Sequence, residues 1–264
     1  MFQKKPSVIL VSGLAWLVTG AMAEAAWIEK SVEGKPGESC YAIDSPSRDL
    51  GKHATLLLRE IPNVIAEGGD SQPQSTELYR EVLHKSVKTI PSGIDTCENR
   101  YRGVRFTQSE TRTLVNQGPI QNRIDLTIVG DGYTVSEKER FFEDAERMTK
   151  DLFEGPTFKS YLTLFNVHAV FVASQQSGIS DVVKKDTALG LYRTPTGSKR
   201  AIMVGNSMAV EAALRLAPAS DYPILIANDE FYGGLGGRYA ITTRSLTSGT
   251  MVLRHELGHN FGQV

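Results

Sequence analysis

The stretch Arg254-His255-Glu256-Leu257-Gly258-His259-Asn260-Phe261-Gly262 decides the reading of this 264-residue chain, because it contains H-E-x-x-H. Two histidines four apart on a helix project from one face, one turn above the other. Their imidazoles can then take two positions of a tetrahedral Zn²⁺, while the glutamate between them reaches the bound water. Leu253, Leu257 and Phe261 recur at i, i+4 and i+8 and give the helix an apolar stripe beside the histidines, with Ser248 or Thr250 capping its start. Gly262 is placed for a sharp turn, since glycine takes the positive φ that such a turn demands. A catalytic zinc site uses three protein ligands and keeps one position open. The third ligand is expected at residue 265 or slightly later, beyond Val264. The chain as given therefore reads as carboxyl-terminally truncated and inactive on its own.

Just upstream, Phe231-Tyr232-Gly233-Gly234-Leu235-Gly236-Gly237 lacks the lysine and the following helix that a phosphate-binding loop requires, so no nucleotide site is expected there. The glycines lead into a strand over residues 238–243. Two readings stand: a sheet edge beside a cleft, able to pair with an extended substrate, or a long hairpin connection and nothing more. Tyr232 and Tyr239 are candidate oxyanion donors by their nearness in sequence.

From Arg123 onward the pattern alternates strands and helices. Residues 124–129 form an apolar strand and Gly130-Asp131-Gly132-Tyr133-Thr134 a turn. Thr134-x-x-Glu137 resembles a capping box that opens a helix over residues 136–153, with Phe141, Ala145, Met148 and Leu152 on one side and Gly155-Pro156 at its end. Residues 167–173 read as a second strand, whose His168 is a strand histidine rather than a ligand, and residues 201–204 as a third. Asn206 caps a helix running to about residue 217, before Pro218 and a strand over residues 223–227.

Residues 27–119 have a different texture, with short apolar runs such as Ala54-Thr55-Leu56-Leu57-Leu58, a polar stretch over residues 67–75 and one helix expected over residues 77–85. His53 and His84 read as solvated or packed side chains. Ahead of this lie Lys4 and Lys5, an apolar stretch over residues 8–22 and small residues around Ala21 and Ala23, the pattern of a cleaved secretory signal peptide. Cleavage near Ala23 removes both lysines and takes the formal net charge from −1 to −3, which favours neither nucleic acid nor an anionic membrane as partner. In an oxidising compartment the only two cysteines, Cys40 and Cys97, are expected to form a disulfide. With 41% hydrophobic and 22% charged residues, the chain can bury a full core in one or two domains.

Several stretches together resemble the secreted IgA-peptidase family of zinc metallopeptidases: Ile128-Val129-Gly130-Asp131-Gly132-Tyr133-Thr134 followed by an acidic, Phe-rich helix; Phe165-Asn166-Val167 leading to Ser177-Gly178; Asp186-Thr187-Ala188-Leu189-Gly190; and residues 254–262. The likeness covers about residues 120–264. It implies an α+β fold, in which a zincin-like catalytic domain with a mixed sheet, a backing helix and an active-site helix follows a small β-rich domain. The expected division is a signal peptide over residues 1–23, an amino-terminal domain over 24–119 and a peptidase domain over 120–264. His255 and His259 would be metal ligands and Glu256 the catalytic acid/base, acting on a protein or peptide substrate outside the cell, with no stable membrane insertion after signal cleavage. The competing reading is a secreted, non-catalytic binding protein on a truncated peptidase scaffold.

Overall fold

The computed structural model describes residues 26–44, 55–65, 77–194 and 198–262. The leader, His53 and the polar stretch over residues 67–75 lie outside the described residues.

The amino-terminal strands are β1 (Ala26–Val32), β2 (Cys40–Asp44), β3 (Thr55–Pro62), β4 (Val64–Ile65) and β5 (Leu78–His84). Four of them form an antiparallel sheet in the order β2-β1-β5-β3. The helix expected over residues 77–85 is thus strand β5. Tyr79, Glu81 and Leu83 are buried and alternate with half-buried neighbours, a period of two that the mixture of charges obscures. His84 is a packed histidine, stacked on Trp27 at 3.9 Å and 2.9 Å from the Glu29 carboxylate. A short helix α1 (Cys97–Tyr101) follows, and the Cys40–Cys97 disulfide closes it onto β2.

The rest of the chain builds a larger sheet from β6 (Ser109–Val115), β7 (Ile124–Asp131), β8 (Phe165–Val172), β11 (Tyr222–Ala227), β12 (Gly234–Gly237) and β13 (Ala240–Thr243), with β4 added at one side. The order is β4-β12-β13-β11-β7-β8-β6. Strands β13, β11, β7 and β8 run parallel, and β12 and β6 are antiparallel to their neighbours. Of the strand expected over residues 201–204, residues 202–204 form β10, which among the described residues pairs with β9 (Leu191–Arg193) in a separate ribbon, while Ala201 makes an isolated bridge to Gly234.

Helices cover both faces. On one, α2 (Lys138–Glu154), the short α3 (Pro156–Lys159) and α5 (Gly249–Gly262) pack on Leu126, Ile128, Ala169, Phe171, Ile224 and Ile226. On the other, α4 (Ser207–Leu214) packs on Val129, Val170, Leu225 and Ile241. The stripe Phe141, Ala145, Met148 and Leu152 of α2 is buried, and the Thr134 backbone N–H donates to Glu137 at 3.0 Å in a capping box. Asn206 caps α4 by accepting from the Ala209 N–H at 3.0 Å. That helix ends at Leu214 rather than 217, because the N–H groups of Leu216 and Ala217 tighten into i→i−3 bonds ahead of Pro218.

A buried ionic cluster joins the two sheets. Arg59 on β3 lies 2.5 Å from Glu81 on β5 and also donates to the Asp221 carbonyl; Lys30 on β1 lies 3.1 Å from Glu81. Arg238, in the β12–β13 turn, reaches Glu211 on α4 at 2.7 Å and Glu38 at 3.4 Å. Burial pushes the Glu81 carboxyl up, but Arg59 and Lys30 outweigh it and hold the group at about 2, below the ordinary 4.5. The stability that Glu81 supplies is therefore complete above pH 4.5 and is lost as pH falls towards about 2. Glu81→Gln should destabilise the neutral-pH fold by about 3–5 kcal/mol by leaving Arg59 and Lys30 without their buried counter-charge. It should also flatten the acid dependence of the melting temperature over that window. Thermal melts of both proteins across the window check this; superimposable pH profiles would remove Glu81 as the acid-sensitive group.

Candidate active site

Helix α5 carries H-E-x-x-H, and burial of its apolar residues sets its rotation. Leu253 and Leu257 are buried in the core shared with α2, and Phe261 packs on Tyr222, Phe158 and Phe165 with ring centroids 4.3, 5.9 and 6.1 Å away. With that stripe turned inward, His255 is exposed, His259 is half-buried, and Glu256 points back into the protein at 3% exposure. The helix start differs in detail from the sequence reading. The Ser248 carbonyl accepts the Val252 N–H, but its hydroxyl donates to Ser245; Thr250 is drawn to Asp151 on α2 at 3.1 Å. It is the Ser245 hydroxyl that accepts a backbone N–H here, from Ser248 at 3.3 Å. The sharp turn expected at Gly262 is not made there: Gly262 is still helical and is the last described residue.

The two imidazoles converge. His255 Nε2 and His259 Nε2 are 3.2 Å apart, with the rings nearly perpendicular. Two nitrogens bound tetrahedrally at 2.0–2.1 Å to one zinc ion would stand about 3.3–3.4 Å apart, so this pair fits such an ion in donor type and in spacing. Among the described residues no group of three or more His, Cys, Asp or Glu side chains is arranged to hold a metal. The pair therefore accounts for two ligands.

Strand β12 forms the wall beside the helix. A Cβ at Gly236 would lie 2.6 Å from Glu256 Oε2 and 3.5 Å from His259 Cδ2, so only a residue without a side chain lets the strand run this close to the carboxylate. The glycine-rich stretch is accordingly neither a phosphate cradle nor a mere connection: residues 234–237 are themselves a strand, antiparallel to β13. This corrects the expected edge. Residues 240–243 are internal, paired with β11 on one side and β12 on the other, and it is β12 that borders the helix carrying the histidine pair.

Other candidates lie elsewhere. His168 is buried in β8 with Nδ1 3.1 Å from the Thr113 hydroxyl and Nε2 3.2 Å from Asp125, a structural histidine as expected. Tyr239, in the β12–β13 turn, packs on the α4 side, where its hydroxyl donates to Glu211 at 2.7 Å, away from the histidine pair. Tyr232 is partly exposed with Arg200 over its ring. The scattered motifs 130–134, 177–178 and 186–190 meet around Asp131, a role their spacing did not disclose. Its buried carboxylate accepts from the backbone N–H groups of Leu189 and Leu191 at 2.9 and 2.7 Å and from the Thr187 hydroxyl at 2.9 Å. Gly178 N–H and Asn228 Nδ2 both donate to the Gly132 carbonyl. These residues fasten the loops beyond the strand ends; they do not touch the histidine pair.

A mixed sheet backed by α2, with a glycine strand beside a helix that offers two histidines and a buried glutamate, is the build of a zincin-like peptidase. The IgA Peptidase M64 family matches residues 113–264, from within β6 through α5. The chain belongs to that family, a family of metallopeptidases. No curated protein matches it.

Gly236→Ala tests the geometry of the wall. Gly236 has no positive φ, so alanine fits the backbone and its methyl displaces the Glu256 carboxylate instead. The variant should melt within a few degrees of wild type and lose whatever activity depends on Glu256. Full activity in a folded variant would mean that the carboxylate does not work from this position.

Proposed function

We propose that the protein is a secreted zinc-dependent endopeptidase in which His255 and His259 hold the metal and Glu256 moves the proton. The observation that carries this reading is the convergence of two imidazole nitrogens at 3.2 Å beside a glutamate buried against Gly236. Zinc held there would supply Lewis acidity, polarising a scissile carbonyl and making water a competent nucleophile near neutral pH. Glu256 takes the proton from the attacking water and delivers it to the leaving amine nitrogen. Its burial keeps the carboxylate in one orientation, and the rigid backing by Leu253 and Leu257 holds it there. The remaining metal ligand is expected outside the described residues. The same reading takes the sheet β2-β1-β5-β3 as the core of the amino-terminal unit expected over residues 24–119, of which β4 and β6 join the larger sheet, and a protein or peptide as substrate. Among the described residues no helix is long and apolar enough to cross a membrane.

In the full-length gene product, Glu256→Gln should abolish chelator-sensitive casein hydrolysis while retaining about one zinc per chain, whereas His255→Ala or His259→Ala should lose the metal. Metal analysis beside the activity assay separates the two effects. If Glu256→Gln kept most of the wild-type turnover, the assigned proton transfer would be wrong. Zinc binding by wild type without any hydrolysis would favour the binding-scaffold reading.

Export is tested separately. Protein expressed with its own leader and recovered outside the cell should begin near Glu24 and show Cys40 and Cys97 linked, as intact mass before and after reduction reports. A retained Met1 would count against a cleaved signal peptide.

A further inference from the structure

Strand β12 borders the metal-binding helix, and the outer edge of β12 is already filled. Strand β4 pairs with it antiparallel, Ile65 opposite Gly236 and Val64 opposite Gly237. Paired residues put their side chains on the same face of a sheet. Ile65 thus lies on the face that holds Glu256 and His259, and its Cβ is 3.5 Å from the position a Gly236 Cβ would take. Val64 turns to the opposite face and packs on the α4 side. The approach is a close one. A Cβ at Gly237, whose φ is +129°, would stand 2.5 Å from the Asn63 carbonyl oxygen and 2.9 Å from Val64 Cα, and the Arg238 N–H donates to that same carbonyl at 3.3 Å. The segment comes from outside the family match, which begins at residue 113.

An extended polypeptide beside this helix can bind by hydrogen-bonding its backbone to a strand edge. Here the edge nearest Glu256 is taken, in cis, by two residues of the chain's own amino-terminal part. We propose that residues 63–65 are an internal occupant of the substrate strand position, and that an extended polypeptide binds by displacing β4 from β12. The inference rests on the peptidase reading for the identity of the incoming chain. The attachment is short enough to exchange: among the described residues two residue pairs and the Arg238 N–H bond to Asn63 hold it, and each backbone hydrogen bond contributes little net free energy against water. Occupation lowers the apparent affinity for substrate by the fraction of molecules in which β4 is away.

Ile65→Asp should weaken β4 by placing a charge on the Glu256 face. Gly237→Ala should push the Asn63 backbone off without touching Glu256. Both are made in the zinc-supplemented full-length protein, on a Glu256→Gln background so that the probe survives. Fluorescein-labelled, reduced and carboxymethylated casein is titrated by anisotropy, and hydrogen exchange is followed at the amides of residues 234–237. The expected result for either folded variant is casein binding tighter by about tenfold, with faster exchange at those amides. Unchanged affinity in both variants would overturn the proposal. So would weaker binding, which would make β4 part of the platform on which substrate lies. With Glu256 restored, Gly237→Ala should lower KM and leave kcat alone. If affinity rises but no form of the enzyme hydrolyses casein, the strand displacement stands and the peptidase reading fails. If all forms hydrolyse casein with the same KM, the peptidase reading stands and the displacement fails.

Discussion

The burial of Leu253 and Leu257 on one side of α5 is the constraint on which the site depends. Each contributes about 2 kcal/mol by leaving water, and both enter the core that α2 and the sheet already share. A rotation of the helix by one residue would expose both. With them fixed, residues 255 and 259 must look away from the core and residue 256 must look along the sheet towards β12. The chemistry of the motif thus follows from hydrophobic packing that has no chemistry of its own. The aromatic cluster of Phe261 with Tyr222, Phe158 and Phe165 fastens the last turn in the same way.

A second constraint is steric and acts from the strand side. Helix and strand can approach until the carboxylate of Glu256 nearly touches the backbone of β12 only because residue 236 has no side chain. Glycine in a strand ordinarily weakens it. Here the loss is offset on both edges, by β13 and by β4, so the strand persists. At the far end of the parallel strands Asp131 plays the corresponding part for the loops. A carboxylate buried at the end of β7 gathers three donors from residues 187–191 and so fixes a long connection that has little regular structure.

Much of this was legible in the sequence, and the limits have physical causes. The periods of α2 and α5, the apolar strands β7, β8 and β11 and the caps at Thr134 and Asn206 are local patterns, and the structure keeps them. Residues 78–84 were not legible, because Leu78, Tyr79, Val82 and Leu83 fit a helical stripe as well as a strand, and the choice was made by the partners β1 and β3. The glycine run is illegible for the opposite reason. It has no side-chain pattern at all, and what makes it a strand is the company of Ile241 and Thr242 on one side and of Val64 and Ile65 on the other. Tyr239 is near the helix in sequence, but the β12–β13 turn that carries it faces α4 and Glu211. No local pattern could place Asn63, Val64 and Ile65 beside residues more than 170 positions away.

That long-range contact ties the amino-terminal sheet to the site more directly than a docked domain would require. Gly237 ends β12 and Arg238 follows at once; its guanidinium is clamped between Glu211 on α4 and Glu38 of the amino-terminal part and lies over the Tyr79 ring. Arg59, on the strand that leads into β4, is held by Glu81 and by the Asp221 carbonyl at the start of β11. The strand beside Glu256 and the segment covering its edge are therefore anchored in one buried ionic cluster. Partners in such a cluster are costly to separate and tolerate little drift, so both strands are fastened at the end where Gly237 meets Val64. The next pair, Gly236 with Ile65, lies one residue beyond that fastening, beside the glutamate and the histidine pair.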